Sequence, residues 1–592
     1  MLKNGRTASR SAWLITFVGV VAVVAAIGLG TMLRLADPLS SPVIPAEDPY
    51  THMAYVREHV HDGNLDPLNE GGNLYPPGLH AFLAATWIYT GADLADIVRF
   101  GPVVFGAVGV LGIALLLWRN VGPVAATVGA LAYAMAPEVI FRTTMMAPTA
   151  LDLALVPFLF IGLVETLRGR VAWSGVAAPI AAFLAIAHPW LFLLFGLMGL
   201  AFFVLVLVAP ISRREDGAIT PAGLAASIAV VAGGVGLASF TGPGFLGTLD
   251  LVPGISLPLP ILALMVITPI ILLPYLGLLY APKRMERLLA WRPSGRKGLF
   301  LSVAVAALLA ILVVQVTQRA LVGGMPDLVD LPRMFGWPIL VLGAVGLIAV
   351  PFIARPIGHL GAALTMATYP FVVFNPLDSP YWPHRTAVFL GIGLVILTGV
   401  AAGAAARLAV RGLQTWNERP VFGKVRLRPS VMAVLPTLLV LPVLGGGVYA
   451  GTPDGYPEGW YRLYEPCEEQ AMASLAERVE DDPDAVVLTG TWQAKLVMAG
   501  YVPGADRLWY KPAFFTASSE REIQDRDDLV YNFQKEDRPL YVLVDRHLRT
   551  EHEGADSRFL DHPPWQGPVH YCEGLGGFAG SRTALYTLEV ES

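Results

Sequence analysis

From Ser11 to Ala450 the sequence is a string of long apolar runs, and this one feature excludes most folds. A helix needs about 20 mostly apolar residues to cross a bilayer. Runs of that kind lie at Ser11–Leu33, Val98–Trp118, Val121–Ala136, Thr149–Leu167, Val171–Ala187, Pro189–Pro210 and Pro221–Phe240. Others lie at Leu259–Tyr280, Leu299–Val316, Trp337–Ala354, Gly358–Phe374, Thr386–Ala406 and Ser430–Ala450, which makes about thirteen spans. The first run follows Lys3, Arg6 and Arg10. It is longer than the roughly 7–15 apolar residues of a signal peptide and reads as an uncleaved span. Only 15% of the residues are charged, against about 25% in soluble domains, and no basic patch suits nucleic acid.

The charges that remain are sorted by loop. With the N-terminus inside, alternation puts Arg168/Arg170, Arg213/Arg214, Lys283–Lys297, Arg355 and Arg407–Arg428 on the inner side, as the positive-inside rule requires. Glu47, Asp48, Asp62, Asp66, Glu70, Glu138, Asp250, Asp327, Asp330 and Asp378 then fall outside. Counting Pro77–Thr90 as a span would invert every later loop, so this short run reads as a helix at the interface. Arg119 fits poorly, because it falls in a very tight inner turn.

After Gly451 the chain changes character. Acidic residues outnumber basic ones roughly two to one. Helical spacing over Glu468–Val479, buried-strand runs at Ala485–Leu488 and Leu540–Val544, and alternation over Thr583–Val590 predict an α/β domain. The chain therefore reads as an α-helical polytopic membrane domain, residues 1–450, followed by an extracytoplasmic soluble α/β domain, residues 451–592. The only two cysteines, Cys467 and Cys572, both fall in that domain, where an oxidising exterior favours a disulfide. The acidic, Arg-rich tail suits a high-salt archaeal exterior.

The most informative stretch is the long first outer loop, residues 36–76, with Glu47-Asp48-Pro49-Tyr50 at one end and Tyr75-Pro76-Pro77-Gly78 just beyond the other. Asp-Pro is a common helix start, with Asp48 as cap and Pro49 at the first helical position. Capping does not explain why so polar a loop is so long. A carboxylate at the membrane surface also suits general-base chemistry.

Asp48-Pro49-Tyr50, followed by Arg57 and Gly63, resembles the first outer loop of oligosaccharyltransferase catalytic subunits, a family of GT-C membrane glycosyltransferases. Tyr75-Pro76-Pro77-Gly78-Leu79 resembles the family's turn into an apolar helix, and Phe141-Arg142-Thr143-Thr144 its Ser-Arg-Ser segment. The resemblance covers roughly the first two hundred residues by motif and the whole chain by architecture.

It implies transfer of a sugar or oligosaccharide from a polyprenyl- or dolichyl-phosphate-linked donor to a protein or glycan acceptor at the outer face of the plasma membrane. Asp48, with Glu47 beside it, is the implied catalytic carboxylate. A divalent metal, Mg²⁺ or Mn²⁺, is implied near Asp48, Asp152, Asp327 and Asp330, since carboxylate oxygens suit these ions. Arg385 with His384, at the outer end of a late span, and Arg142 are the implied contacts for the donor phosphate; Arg suits phosphate geometry.

Two departures stand out. Thr149, Ala150 and Leu151 occupy the places where the family carries its second acidic residues, and Asp152 follows one place later. The tail has Thr489-Gly490-Thr491-Trp492-Gln493 in place of the family's Trp-Trp-Asp-Tyr-Gly. The acceptor is therefore open. A transporter or flippase, or an inactive GT-C-like scaffold, is the alternative. His188-Pro189-Trp190 reads as a kink with an aromatic anchor.

Overall fold

The structure is a computed structural model. It describes residues 3–208 (42, 47, 62 and 64–75 apart), 219–241, 248–258 (253 and 254 apart), 331–374 (354 and 355 apart), 382–418, 464–548 (465, 503–506, 518, 537, 546, 547 apart), 570–573 and 582–588. The expected spans at Leu259–Tyr280, Leu299–Val316 and Ser430–Ala450 lie outside the described residues.

The described residues of the first half are almost wholly helical: α1 (Lys3–Ser40), α2 (Asp48–His61), α3 (Pro77–Thr90), α4 (Leu94–Asn120), α5 (Pro123–Met135), α6 (Pro137–Arg142), α7 (Pro148–Leu167), α8 (Ser174–Ala187), α9 (Pro189–Val208) and α10 (Pro221–Thr241). A short antiparallel hairpin of β1 (Thr248–Val252) and β2 (Ile255–Pro258) follows. Helices α11 (Leu331–Phe335), α12 (Trp337–Ile353), α13 (Pro356–Phe374) and α14 (Trp382–Glu418) come next. Among the described residues, five helices are long and apolar enough to cross a membrane: Thr16–Ser40, Leu94–Asn120, Pro148–Leu167, Pro221–Ala238 and Thr386–Ala409. Most of α5–α10 and α12–α14 match the apolar runs to within a few residues, because Pro and Gly punctuate the runs where helices start. Helix α3 has the bounds expected of the interfacial segment, and at 14 residues it is short for a span.

The chain divides into two compact units. The first comprises residues 1–36, 102–144 and 148–455. In it α14 packs on α5, α12 and α13, and α10 packs on α7, α8 and α9. Close approach depends on small residues. Gly346 of α12 lies so near the Leu397 backbone of α14 that a Cβ there would overlap it. At one end of this bundle a buried carboxylate, Glu165, gathers three guanidinium groups: Arg119 at 3.0 Å, Arg168 at 3.6 Å and Arg170 at 2.7 Å. This resolves the misfit of Arg119. The residue ends α4, the chain reverses through Gly122 at φ 130°, and the guanidinium lies over Trp173 while bonding Glu165.

The second unit joins residues 37–101 and 145–147 to 456–592. Its C-terminal part holds α15 (Pro466–Asp481), β3 (Val486–Thr489), α16 (Trp492–Tyr501), β4 (Leu508–Tyr510), α17 (Pro512–Thr516), α18 (Glu520–Lys535), β5 (Leu540–Val544), β6 (His570–Glu573) and β7 (Arg582–Leu588). The sheet order is β4-β3-β5-β7-β6. Strands β3, β4 and β5 run parallel, and β7 is antiparallel to both β5 and β6. Val486, Leu488, Leu540, Val542 and Val544 form the core with Phe514, Phe515 and Phe533, as the unbroken apolar runs of interior parallel strands require. Cys467, in the first turn of α15, is disulfide-bonded; the chain's other cysteine is Cys572 in β6, which packs on α15.

Candidate functional site

Asp48 is the first residue of α2 and Pro49 the second, where a missing N–H costs nothing. Pro49 and Tyr50 are buried while Asp48 is half-buried, and the Asp48 carboxylate makes no hydrogen bond to a described residue. Capping therefore does not account for it. Just upstream, Ala46 is buried with φ 67°, a left-handed conformation that costs a non-glycine residue energy.

The segment around Asp48 is held by residues far away in sequence. Glu469 of α15 accepts hydrogen bonds from the Tyr50 and Tyr501 hydroxyls, each 2.6 Å, and from the Ile44 N–H at 3.2 Å. Burial pushes the Glu469 carboxyl up, and the hydrogen bonds from the two tyrosines and Ile44 oppose that shift. Burial and the neighbouring carboxylate raise Tyr50 and Tyr501, so both hydroxyls stay protonated as donors. Further along α2, Arg57 donates to the Gly500 carbonyl at 2.9 Å, and His52 Nδ1 meets His80 Nε2 of α3 at 2.9 Å. Burial and the adjacent His52 push His80 well below its ordinary value.

The first unit contains a second polar cluster. Asp152 is fully buried and bonds His188 Nδ1 through one oxygen. Its other oxygen, and the Thr149 hydroxyl one turn earlier, have no hydrogen-bond partner among the described residues. His188 closes the C-terminus of α8, and its ring lies 6.4 Å from that of Phe389 in α14. The residue read as a kink thus also partners Asp152. His384 and Arg385 fall in the first turn of α14, with Arg385 four residues before Phe389, about one turn. Arg142 donates to Glu138 at 3.0 Å, both buried.

Its neighbour Thr143 accepts from Arg34 at 2.5 Å, and Arg34 also donates to the Gly30 and Ala134 carbonyls. Sequence reasoning passed over Arg34; a charge at the end of an apolar run was the available signal. Asp152, Arg142 and the start of α14 belong to the first unit and Asp48 to the second. Glu47, Asp327 and Asp330 lie outside the described residues. Among the described residues no three His, Cys, Asp or Glu side chains are grouped to hold a metal ion.

The fold resembles that of solved GT-C membrane glycosyltransferases. Archaeal oligosaccharyltransferase AglB from Archaeoglobus fulgidus, in complex with an inhibitory peptide and a dolichol-phosphate, matches with a TM-score of 0.58 at 12% identity, over 91% of this chain and 70% of that one. The Archaeoglobus fulgidus oligosaccharyltransferase tethered to an acceptor peptide containing the NVT sequon matches with a TM-score of 0.56 at 14% identity, over 96% of this chain and 74% of that one. At such identity the likeness is one of fold. By sequence, the model of a family of unknown function, DUF6541, matches residues 2–256. No curated protein matches the chain by sequence.

Proposed function

We propose that this protein transfers a sugar or oligosaccharide from a polyprenyl- or dolichyl-phosphate-linked donor to an acceptor at the outer face of the membrane. The observation that carries this reading is Asp48: a half-buried carboxylate without a hydrogen-bond partner among the described residues, heading α2 in a chain of oligosaccharyltransferase-like fold. The AglB structure holds a dolichol-phosphate and an inhibitory peptide, which supports a lipid-phosphate donor and a polymeric acceptor here.

In the proposed reaction Asp48 takes the proton from the acceptor's O–H or N–H as that atom bonds the anomeric carbon. The bond from that carbon to the donor's phosphate oxygen breaks, and the electron pair leaves with the lipid phosphate. Arg385, at the head of α14, meets the growing phosphate charge, with His384 beside it. The Asp152 oxygen that has no partner among the described residues is a hard donor that fits Mg²⁺ or Mn²⁺. A bound ion there would stabilise negative charge on the leaving phosphate. Arg142, already engaged by Glu138, has a supporting part in holding its own turn.

The test is transfer of label from radiolabelled lipid-linked sugars in membranes containing the protein. Asp48→Asn should abolish transfer while the amount of folded protein is unchanged; full activity in that variant would remove Asp48 from the chemistry. Arg385→Ala should raise the apparent KM for the donor at least about tenfold, a loss of roughly 1.4 kcal/mol, and leave that for the acceptor alone. An unchanged donor KM would exclude the phosphate role.

A further inference from the structure

Glu469 grips the chain on both sides of Asp48. The Ile44 N–H and the Tyr50 hydroxyl, residues that bracket the Pro45–Pro49 stretch, converge on this one carboxylate from 425 and 419 residues away. Pro45 and Pro49 carry no N–H, and Ala46 is held at φ 67°. A strained alanine persists only where its surroundings over-determine it, and the two-sided grip is the surrounding contact that does so. Tyr501 supplies a third donor at 2.6 Å. Beside it Gly500 lets α16 close on Tyr50, since a Cβ there would stand 3.1 Å from the Tyr50 carbonyl oxygen.

We propose that Glu469 is a positioning residue: from the α/β part of the second unit it sets the place of the α2 N-terminus, and through it the place of Asp48. This rests on the reading of Asp48 as the acceptor-activating group. A carboxylate is needed because every partner donates. The two tyrosine hydroxyls share Oε1, and Oε2 faces the Ile44 N–H. In Glu469→Gln the amide oxygen can still receive both tyrosines, but its NH₂ then meets the Ile44 N–H, donor against donor. That substitution releases one side of the grip and leaves shape and volume in place.

The experiment is hydrogen–deuterium exchange on the purified full chain, paired with transfer from the radiolabelled lipid-linked sugars of the same membranes. In Glu469→Gln, the Ile44 amide, the one amide of this segment that Glu469 receives, should exchange about tenfold faster while the β3 and β5 amides keep their rates. The kcat should fall about 10- to 100-fold, the cost of a small misplacement, with both KM values within about twofold. Ala46→Gly, which accepts φ 67° without strain, should restore at least about threefold of that rate in the Glu469→Gln background. A purely structural role would not give this rescue. Unchanged exchange at Ile44 overturns the proposal, and so does faster exchange throughout the second unit or a rate loss that Ala46→Gly does not mend. Asp48→Asn is run in parallel. If it retains transfer, the reading of Asp48 fails on its own, and the exchange of the Ile44 amide still decides whether Glu469 holds this segment.

Discussion

The two units bury charge in different ways. In the helical unit the described ion pairs join residues of one turn or of two helices side by side. Arg142 meets Glu138 four residues away, Arg168 meets Glu165 three away, and Arg119 and His188 reach Glu165 and Asp152 from neighbouring helices. In the second unit Glu469 is answered by Tyr501, 32 positions away, and by Ile44 and Tyr50, more than four hundred positions distant. The contrast follows from solvent. A charge among apolar helices has no water to fall back on, so its partner must come from its own turn or an adjacent helix. In the second unit the partners arrive only when distant segments close on one another, and a polar group can wait in water until they do.

The largest effect should come from breaking the local answer. Glu165→Ala removes the buried carboxylate that bonds Arg119 and Arg170, both open to solvent, and lies near Arg168. It should cost about 3 kcal/mol, roughly 1.5 for each of the charge-assisted hydrogen bonds to Arg119 and Arg170, the low end because both guanidinium groups reach water. Thermal melting in detergent measures it, and a shift of less than about 1 °C would show that the cluster is solvated instead.

A middle-sized effect should come from the packing that lets helices carry their charges so close. Gly346→Ala drives a Cβ into the Leu397 backbone, which cannot rotate away, and should cost about 1–3 kcal/mol. Gly28→Ala, with nothing within 4 Å of its added carbon, is the control and should not destabilise.

The smallest effect sharpens the contrast from the side of the second unit. His80 is pushed well below 6.5 by burial and by His52. In the unfolded chain His80 takes up a proton near 6.5 while the folded chain resists it. Stability is therefore fully present above about pH 6.5 and is lost as pH falls below it, at about 1.4 kcal/mol per pH unit. Melting curves between pH 7.5 and 5.5 should show this slope, and His80→Phe should flatten it. A slope unchanged in that variant would assign the acid sensitivity elsewhere.

The sequence alone determined where most helices lie. In lipid a helix must be a run of apolar residues of near-fixed length, so the runs at Val98–Trp118 and Thr149–Leu167 mark α4 and α7 to within four residues. It also marked α15, β3, β5 and β7, whose periodicity records burial on one or two faces. Asp48 and Asp152 came forward as candidates through the resemblance of their segments to the oligosaccharyltransferase family. Helix α18 and strand β4 escaped sequence reasoning, one being polar on most positions and the other only three residues long.

Only the tertiary structure decided that the segment carrying Asp48 belongs with the C-terminal α/β part. It alone gave Asp152 its partner in His188 and singled out Glu469 among the many acidic residues of the tail. A helix leaves its signature in residues three and four apart, and the sequence shows that directly. A carboxylate that accepts from Ile44, Tyr50 and Tyr501 leaves no periodic mark, because its meaning lies in a closure that only the folded chain performs.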